Sequence, residues 1–398
     1  MSSAVVRWLT GLDRDFILIY LSILLWGFGL FLYIYIQPLY ITQLGATPEQ
    51  VGLALGLGSL FVTVLYAPIG LWADRRGRKT VILAGWTLGT VAGFGFALAP
   101  DWRWFIPAMA VYTLSNFAVS VLNGYIVAKA PSAEARGQIF ALLSSGSAIG
   151  SILAPAVGGW VGEQYGLRAV YLTAACFYVL STVAIALIRP QPAEPQATGA
   201  NARGLLRERS VIWSLLLVFG IFFAVEVGQV LAPKFLQEVR GLSIHQIGWL
   251  GTASAVGVMV LSLALSRLRG EGRHALILSQ VAAWVGVALL MWTASWPGLL
   301  IAFFIAGSNR LVRPPALVQF SRLLTPATMS FGMGLQQTAS QIGLALAPYV
   351  AGLLYARNPS WPFIAGLVAI GLTCALSIIW PATSQPRGPL ALQTAKEG

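Results

Sequence analysis

The chain has 398 residues, 57% of them hydrophobic and only 10% charged, with a mean hydropathy of +0.76. Soluble domains carry about 25% charged residues, so this composition excludes an ordinary soluble protein and points to one that crosses a membrane repeatedly. The net charge of +12 would suit a nucleic-acid partner, but the placement of the basic residues follows membrane topology instead, so no nucleic acid is expected.

In chain order, twelve apolar segments can be laid out: 16–39, 48–72, 80–99, 103–128, 136–162, 168–188, 211–233, 244–266, 274–294, 298–320, 329–355 and 361–381. Each is close to the roughly 20 residues that a helix needs to cross hydrocarbon. The first is too long for a cleaved leader and lacks a small-residue cleavage site. Connections are short except for 189–210, polar and rich in Pro and Ala, which reads as a flexible linker. The expected fold is an all-α polytopic membrane protein with twelve transmembrane helices, six in a bundle over 1–188 and six in a second over 211–398, which ends in a short tail. Of the 25 Lys and Arg, five (Arg103, Arg168, Lys234, Arg240, Arg357) fall on one side, Arg310 and Arg313 fall inside a segment, and the other eighteen share the side of the termini. That excess predicts both termini in the cytoplasm.

The two halves resemble each other. Ser147–Gly159 and Ser340–Gly352 agree at eight of thirteen positions, 193 residues apart, and both contain Ala-Pro. Gly45–Gly52 echoes Gly241–Gly248, which places Thr47 and Ser243 as N-caps of the second and eighth segments. Cys176 and Cys374 lie singly in apolar segments and read as packing residues, while His245 and His274 sit at helix starts. No metal site and no cofactor is expected.

Between the second and third segments stands a charged turn containing Gly70, Asp74, Arg75, Gly77, Arg78 and Lys79, with Trp72 two residues into it. The pattern G-x-x-x-D-R-x-G-R-K resembles the signature of the major facilitator superfamily, a family of twelve-helix secondary transporters in which Trp72 is usually a leucine. A worn copy, Arg269–His274, occupies the matching place in the second half, with Arg269 at the Asp74 position. The resemblance implies two pseudo-symmetric bundles with a substrate site between them. It also implies a cytoplasmic gate in which Asp74 meets the helix start near residues 328–330, while Arg75, Arg78 and Lys79 pair with it and with Glu134 beside Arg136. Gly150, Pro155 and Gly159 resemble the glycine-and-proline motif of the family's antiporters, except that Ala154 replaces a glycine. The motif reads either as a bent helix that favours export or, because Gly343, Pro348 and Gly352 repeat the pattern in the eleventh segment, as close packing and a proline bend in both halves, which leaves the direction of transport open.

Only one of the thirteen carboxylates, Glu226, lies well inside a segment. An intramembrane acid is costly and is a functional candidate by default, here for carrying a proton. Its helical face continues through Phe222 and Gln229. Arg310 stands at a similar depth, either as a static partner of Glu226 or as a site for an anionic group, and Arg313 lies nearer the interface. Pro314 and Pro315 remove two backbone donors just beyond, so the helix should loosen there. The resemblance places the first, fourth, seventh and tenth segments around the central cavity. It thereby makes Trp26, Tyr33, Gln37, Asn116, Ser120, Asn123, Phe222, Gln229, Asn309, Arg310 and Arg313 the cargo-contact candidates. Residues 104–128 contain no arginine, although the family's proton-coupled drug exporters usually carry one in the fourth segment, which leaves Glu226 as the main coupling group.

These residues suit a monomeric transporter in a bacterial plasma membrane that exports a small amphipathic organic molecule, driven by protons or by sodium. Symport or exchange of an organic anion through Arg310, and a non-transporting assembly subunit, are the alternatives. Two interfacial His and one buried acid assemble neither a metal site nor an acid/base pair, which argues against an enzyme.

Overall fold

The structure is a computed structural model that describes residues 13–63, 77–130, 132–191, 205, 208–266, 272–324 and 328–379. Among the described residues every regular element is a helix, as expected where hydrocarbon forces each backbone polar group to bond within its own segment. The first half contains α1 (Arg14–Tyr33), α2 (Gln37–Gln43), α3 (Pro48–Thr63), α4 (Arg78–Leu98), α5 (Trp102–Ser115), α6 (Phe117–Lys129), α7 (Ala133–Tyr165) and α8 (Leu167–Ala186). The second contains α9 (Arg209–Val227), α10 (Ala232–Glu238), α11 (Ile244–Ser266), α12 (Gly272–Trp292), α13 (Trp296–Ala306), a 3-10 turn (Gly307–Val312), α14 (Arg313–Ser321), α15 (Met329–Arg357) and α16 (Trp361–Ile379).

Ten stretches among the described residues are long and apolar enough to cross a membrane. The remaining two expected segments are not seen as single long helices. The segment 48–72 continues past Thr63 beyond the described residues, and 298–320 is divided by the 3-10 turn.

Helix starts are fixed by short polar side chains that accept from the otherwise orphaned N–H groups. Asp13, Asp101, Ser132 and Ser295 cap α1, α5, α7 and α13. The two halves share one capping device. Thr47 and Gln50 bond reciprocally, at 2.9 Å from Thr47 N–H to Gln50 Oε1 and 3.5 Å back, and Ser243 and Gln246 do the same at 2.9 and 3.3 Å. Gly45 and Gly241 precede these boxes with φ of 90° and 69°, a turn that side-chain-bearing residues rarely adopt.

The described residues fall into two compact units, those within Met1–Ala197 and Pro233–Ala255, and those within Thr198–Ala232 and Val256–Gly398. In the first unit α1 packs on α7 and α8, and α4 packs on α5 and α8. The closest approach uses glycine: a Cβ on Gly150 would stand 2.8 Å from Phe28 N. In the second unit α9 packs on α15 and α16, and a Cβ on Gly343 would stand 2.7 Å from Phe219 O. Gly150 and Gly343, 193 residues apart, thus both bring their helix against the backbone of a neighbouring helix. The stretch 233–255, part of the second half by sequence, packs with the first unit. There Lys234, 3% exposed, pairs with Glu238 at 2.5 Å and donates to Thr42 Oγ1 at 3.1 Å, and Thr252 Oγ1 donates to Ile152 O at 2.8 Å.

Candidate functional site

Four expected segments are interrupted, and they are the first, fourth, seventh and tenth. The first breaks between α1 and α2 at residues 34–36, and the fourth at Asn116. The seventh breaks at residues 228–231 after α9, and the tenth in the 3-10 turn. The other segments that are described throughout run unbroken. Broken helices leave backbone groups and polar side chains at membrane depth, which is tolerated only against protein or a polar cavity. In the tenth segment Pro314 and Pro315 withhold N–H groups, and the helix tightens to 3-10 over the preceding turn.

Glu226 sits in the last turn of α9, half-buried, with its carbonyl accepting from the N–H groups of Gln229 and Val230 at 3.0 Å each. Packing gives the register of α9 against the tenth segment. Val211 and Leu215 share an apolar cluster with Phe320 and Leu324, and Leu217 and Ile221 share one with Val312 and Ala316. Arg313 lies over the Phe222 ring at 5.6 Å. These contacts run antiparallel, so the end of α9 that carries Glu226 points along the tenth segment toward its 3-10 turn. The charge of Arg310, an exposed side chain, lies within electrostatic reach of Glu226. No ion pair joins Glu226 to Arg310. Gln229 Nε2, Ser308 Oγ and Asn309 Oδ1 are buried and meet no hydrogen-bonding group of the protein.

The candidates of the first half divide in two. Trp26 and Tyr33 turn into the core of their own unit: Trp26 packs on Tyr178 at 4.4 Å and Trp86 at 5.5 Å, and the Tyr33 and Tyr178 hydroxyls bond at 2.9 Å. Gln37 is also buried, at the start of α2. Asn116 and Asn123 are exposed on one face of the fourth segment, clear of that core. The side chain of Ser120 between them lies outside the described residues. Trp86 fixes the interior polar contact, donating its indole N–H to Ser22 Oγ at 2.9 Å and Ser181 Oγ at 3.0 Å.

At the signature turn, Gly70, Asp74 and Arg75 lie outside the described residues. Gly77 takes φ 75° before α4. Arg78 donates to Gln191 Oε1 at 3.3 Å, and neither Arg78 nor Lys79 forms an ion pair with Glu134, which is exposed, as is Arg136. Gln191 in turn donates to Tyr125 O at 3.3 Å. The Tyr125 hydroxyl donates to Asp15 Oδ2 at 2.9 Å. Asp15, fully buried, also pairs with Lys129 and accepts from the Arg189 N–H at 3.3 Å. The Asp15 backbone N–H that Asp13 accepts, with Lys129 3.0 Å away, holds the Asp13 carboxyl below the usual carboxylate range. This buried network was missed in the sequence because Asp15 and Lys129 look like ordinary ends of the first and fourth segments.

Gly150 and Gly343 are contact points of α7 on α1 and of α15 on α9, and Gly159 meets the backbone of Gly248 and His245. Pro155 and Pro348 lie inside helices that continue past them, and Gly352 is buried. No group of three or more metal-ligating side chains occurs among the described residues.

The family model described as Major Facilitator Superfamily matches residues 19–243 and 227–397. The multi-drug resistance efflux pump PmrA of Streptococcus pneumoniae is 25% identical over 378 residues, covering 89% of this chain and 92% of that protein. The quinolone resistance protein NorA of Staphylococcus aureus is 24% identical over 394 residues, covering 96% of this chain and 100% of its own. Among solved structures, the nucleoside transporter NupG aligns with TM-score 0.73 and 15% identity over 92% of this chain and 96% of its own. A peptide transporter, POT, aligns with TM-score 0.73 and 15% identity over 97% and 95%. Such distant structures speak for the fold alone.

Proposed function

The chain belongs to the major facilitator superfamily, and from that premise we propose that this membrane transporter exports a small amphipathic organic molecule by alternating access, with Glu226 carrying the coupling proton. It works as a multi-pass protein of a bacterial plasma membrane, with both termini in the cytoplasm. The observation that carries the reading is the setting of Glu226. It is an acid at the broken end of α9 that no salt bridge pairs, on a helix packed against the tenth segment and within reach of the Arg310 charge. Asp15, the other acid buried within a helix, is instead pinned by Lys129 and Tyr125. One relative named as a multi-drug resistance efflux pump and another named for quinolone resistance agree with an organic cargo.

Chemically, a neutral Glu226 lets the site rearrange without moving a bare charge, and loss of its proton leaves a carboxylate that Arg310 stabilises. Cargo would rest against Phe222 and the polar turn at Asn309. The test is dye transport in everted membrane vesicles with an imposed pH gradient, using ethidium and a panel of neutral aromatic dyes. Gradient-driven movement in the wild type, lost in Glu226→Gln, is expected; wild-type transport indifferent to the pH gradient sinks proton coupling. The exposure of Arg310 favours a second reading, an organic-anion carrier. In that case anionic dyes move, and Arg310→Gln abolishes them while sparing neutral ones.

A further inference from the structure

The tenth segment holds polar atoms that the protein itself leaves without partners. Ser308 is 1% exposed, yet its hydroxyl meets no protein hydrogen-bonding group. Helical hydroxyls in this chain commonly bond back to a carbonyl three or four residues earlier, as those of Ser151, Ser262, Ser279 and Ser321 do. The carbonyl four residues before Ser308, that of Phe304, is instead covered by the backbone of Gly257, which packs so closely that no Cβ would fit. Ser115 sharpens the comparison. Ser115-Asn116 and Ser308-Asn309 are the same dipeptide at the breaks of the fourth and tenth segments, 193 residues apart, the offset that relates Gly150 to Gly343. Ser115 Oγ donates to Tyr112 O at 2.6 Å, whereas its counterpart Ser308 bonds to nothing in the chain.

Three more groups join it. Asn309 Oδ1 and Gln229 Nε2 are buried without protein partners. The Leu311 carbonyl would take its helical bond from residue 314 or 315, and both are proline. Arg313 on the Phe222 ring ties the tenth segment to α9, the helix that carries Glu226 and precedes Gln229, and the Arg310 charge reaches Glu226. Together they offer one donor amide, two acceptor oxygens and a hydroxyl that does either. That mixture fits water, which needs two to four polar neighbours. A metal cation would meet the Gln229 donor and the Arg310 charge, and an anion would meet the two carbonyl oxygens.

We infer that Ser308, Asn309, Gln229 and the Leu311 carbonyl hold an internal water cluster at the 3-10 turn, through which Glu226 exchanges its proton with solvent. This rests on the reading of Glu226 as the proton carrier. In the exchange the carboxyl O–H bond breaks and the proton passes to a water of the cluster. That water releases a proton onward, and the carboxylate left behind faces Arg310. Ser308 and Asn309 are positioning residues that keep the waters in line.

The test uses the purified full-length protein in lipid nanodiscs. Infrared difference spectra identify the protonated Glu226 carboxyl band by its loss in Glu226→Gln, and rapid mixing with D2O buffer times its isotope shift. Wild type and Ser115→Ala should shift within the mixing time. Ser308→Ala should slow the shift at least about tenfold, and adding Asn309→Leu should slow it further, with melting temperatures unchanged. Shift rates in Ser308→Ala equal to wild type overturn the inference, and this single small replacement decides the matter if the double variant does not fold. A wild type with no Glu226 carboxyl band anywhere between about pH 5 and 8 overturns the proton-carrier reading instead.

Discussion

A methyl group added at Gly150 would stand 2.8 Å from Phe28 N, and one at Gly343 2.7 Å from Phe219 O, where ordinary contact begins at 3.4 Å. Both obstacles are backbone atoms, so no side chain can swing aside. Helix α7 must retreat from α1, or α15 from α9, by about 0.6 Å, and gaps of that size forfeit about a quarter to a half of each dispersion contact they open. Overpacking of this kind costs about 1–3 kcal/mol, against about 1 kcal/mol of helix propensity that Gly→Ala returns. Gly137 and Gly334 are exposed on the same two helices with nothing within 4 Å, so alanine there brings propensity alone. Melting in mild detergent, followed by tryptophan fluorescence, should therefore place Gly150→Ala below Gly137→Ala, and Gly343→Ala below Gly334→Ala. The difference in each pair is about 1–3 kcal/mol, or several degrees at ~2–4 °C per kcal/mol for units of this size. Equal melting within either pair would refute close packing as the reason for the repeated glycines.

The Asp15 network gives two further expectations. Asp15→Asn leaves Lys129 facing a buried amide and should destabilise the protein by more than the about 1 kcal/mol of an exposed pair, toward the about 3–5 kcal/mol of a buried one, while Asp15→Leu combined with Lys129→Met recovers most of that loss in the same melting assay. The Asp13 carboxyl is held below its ordinary range in the folded protein, so the unfolded chain binds the extra proton first. Its contribution is full above about pH 4 and disappears as pH falls through the lowered value. Asp13→Asn should therefore melt below wild type at neutral pH, with the difference closing in acid.

Length and apolar content sufficed to read the helices, because a chain in hydrocarbon must satisfy its backbone locally. The repeat carried further: Thr47 and Ser243 cap their helices as expected, and Gly150 and Gly343 meet their neighbours alike. Pro314 and Pro315 announced the break in the tenth segment. The other breaks carry quieter marks: Pro38 stands at the start of α2, Asn116 joins α5 to α6, and Gly228 follows the last residue of α9. Polar faces misdirected the reading of Trp26 and Tyr33, since lipid and bundle core are equally apolar and a helix in a membrane does not reveal which side faces inward. The Trp26 ring packs at a tilt on Tyr178, and the Tyr33 ring stacks on Tyr171. Glu226 stood out because a single acid in an apolar segment has few structural reasons to be there.

Proteoliposomes that report dye and protons together test the account most directly. With ethidium outside and a trapped pH indicator inside, dye movement through the wild type should be accompanied by opposite proton movement. Glu226→Gln should still exchange labelled for unlabelled dye at equal concentrations while moving no protons. Proton movement in Glu226→Gln at the wild-type ratio to dye would contradict the account.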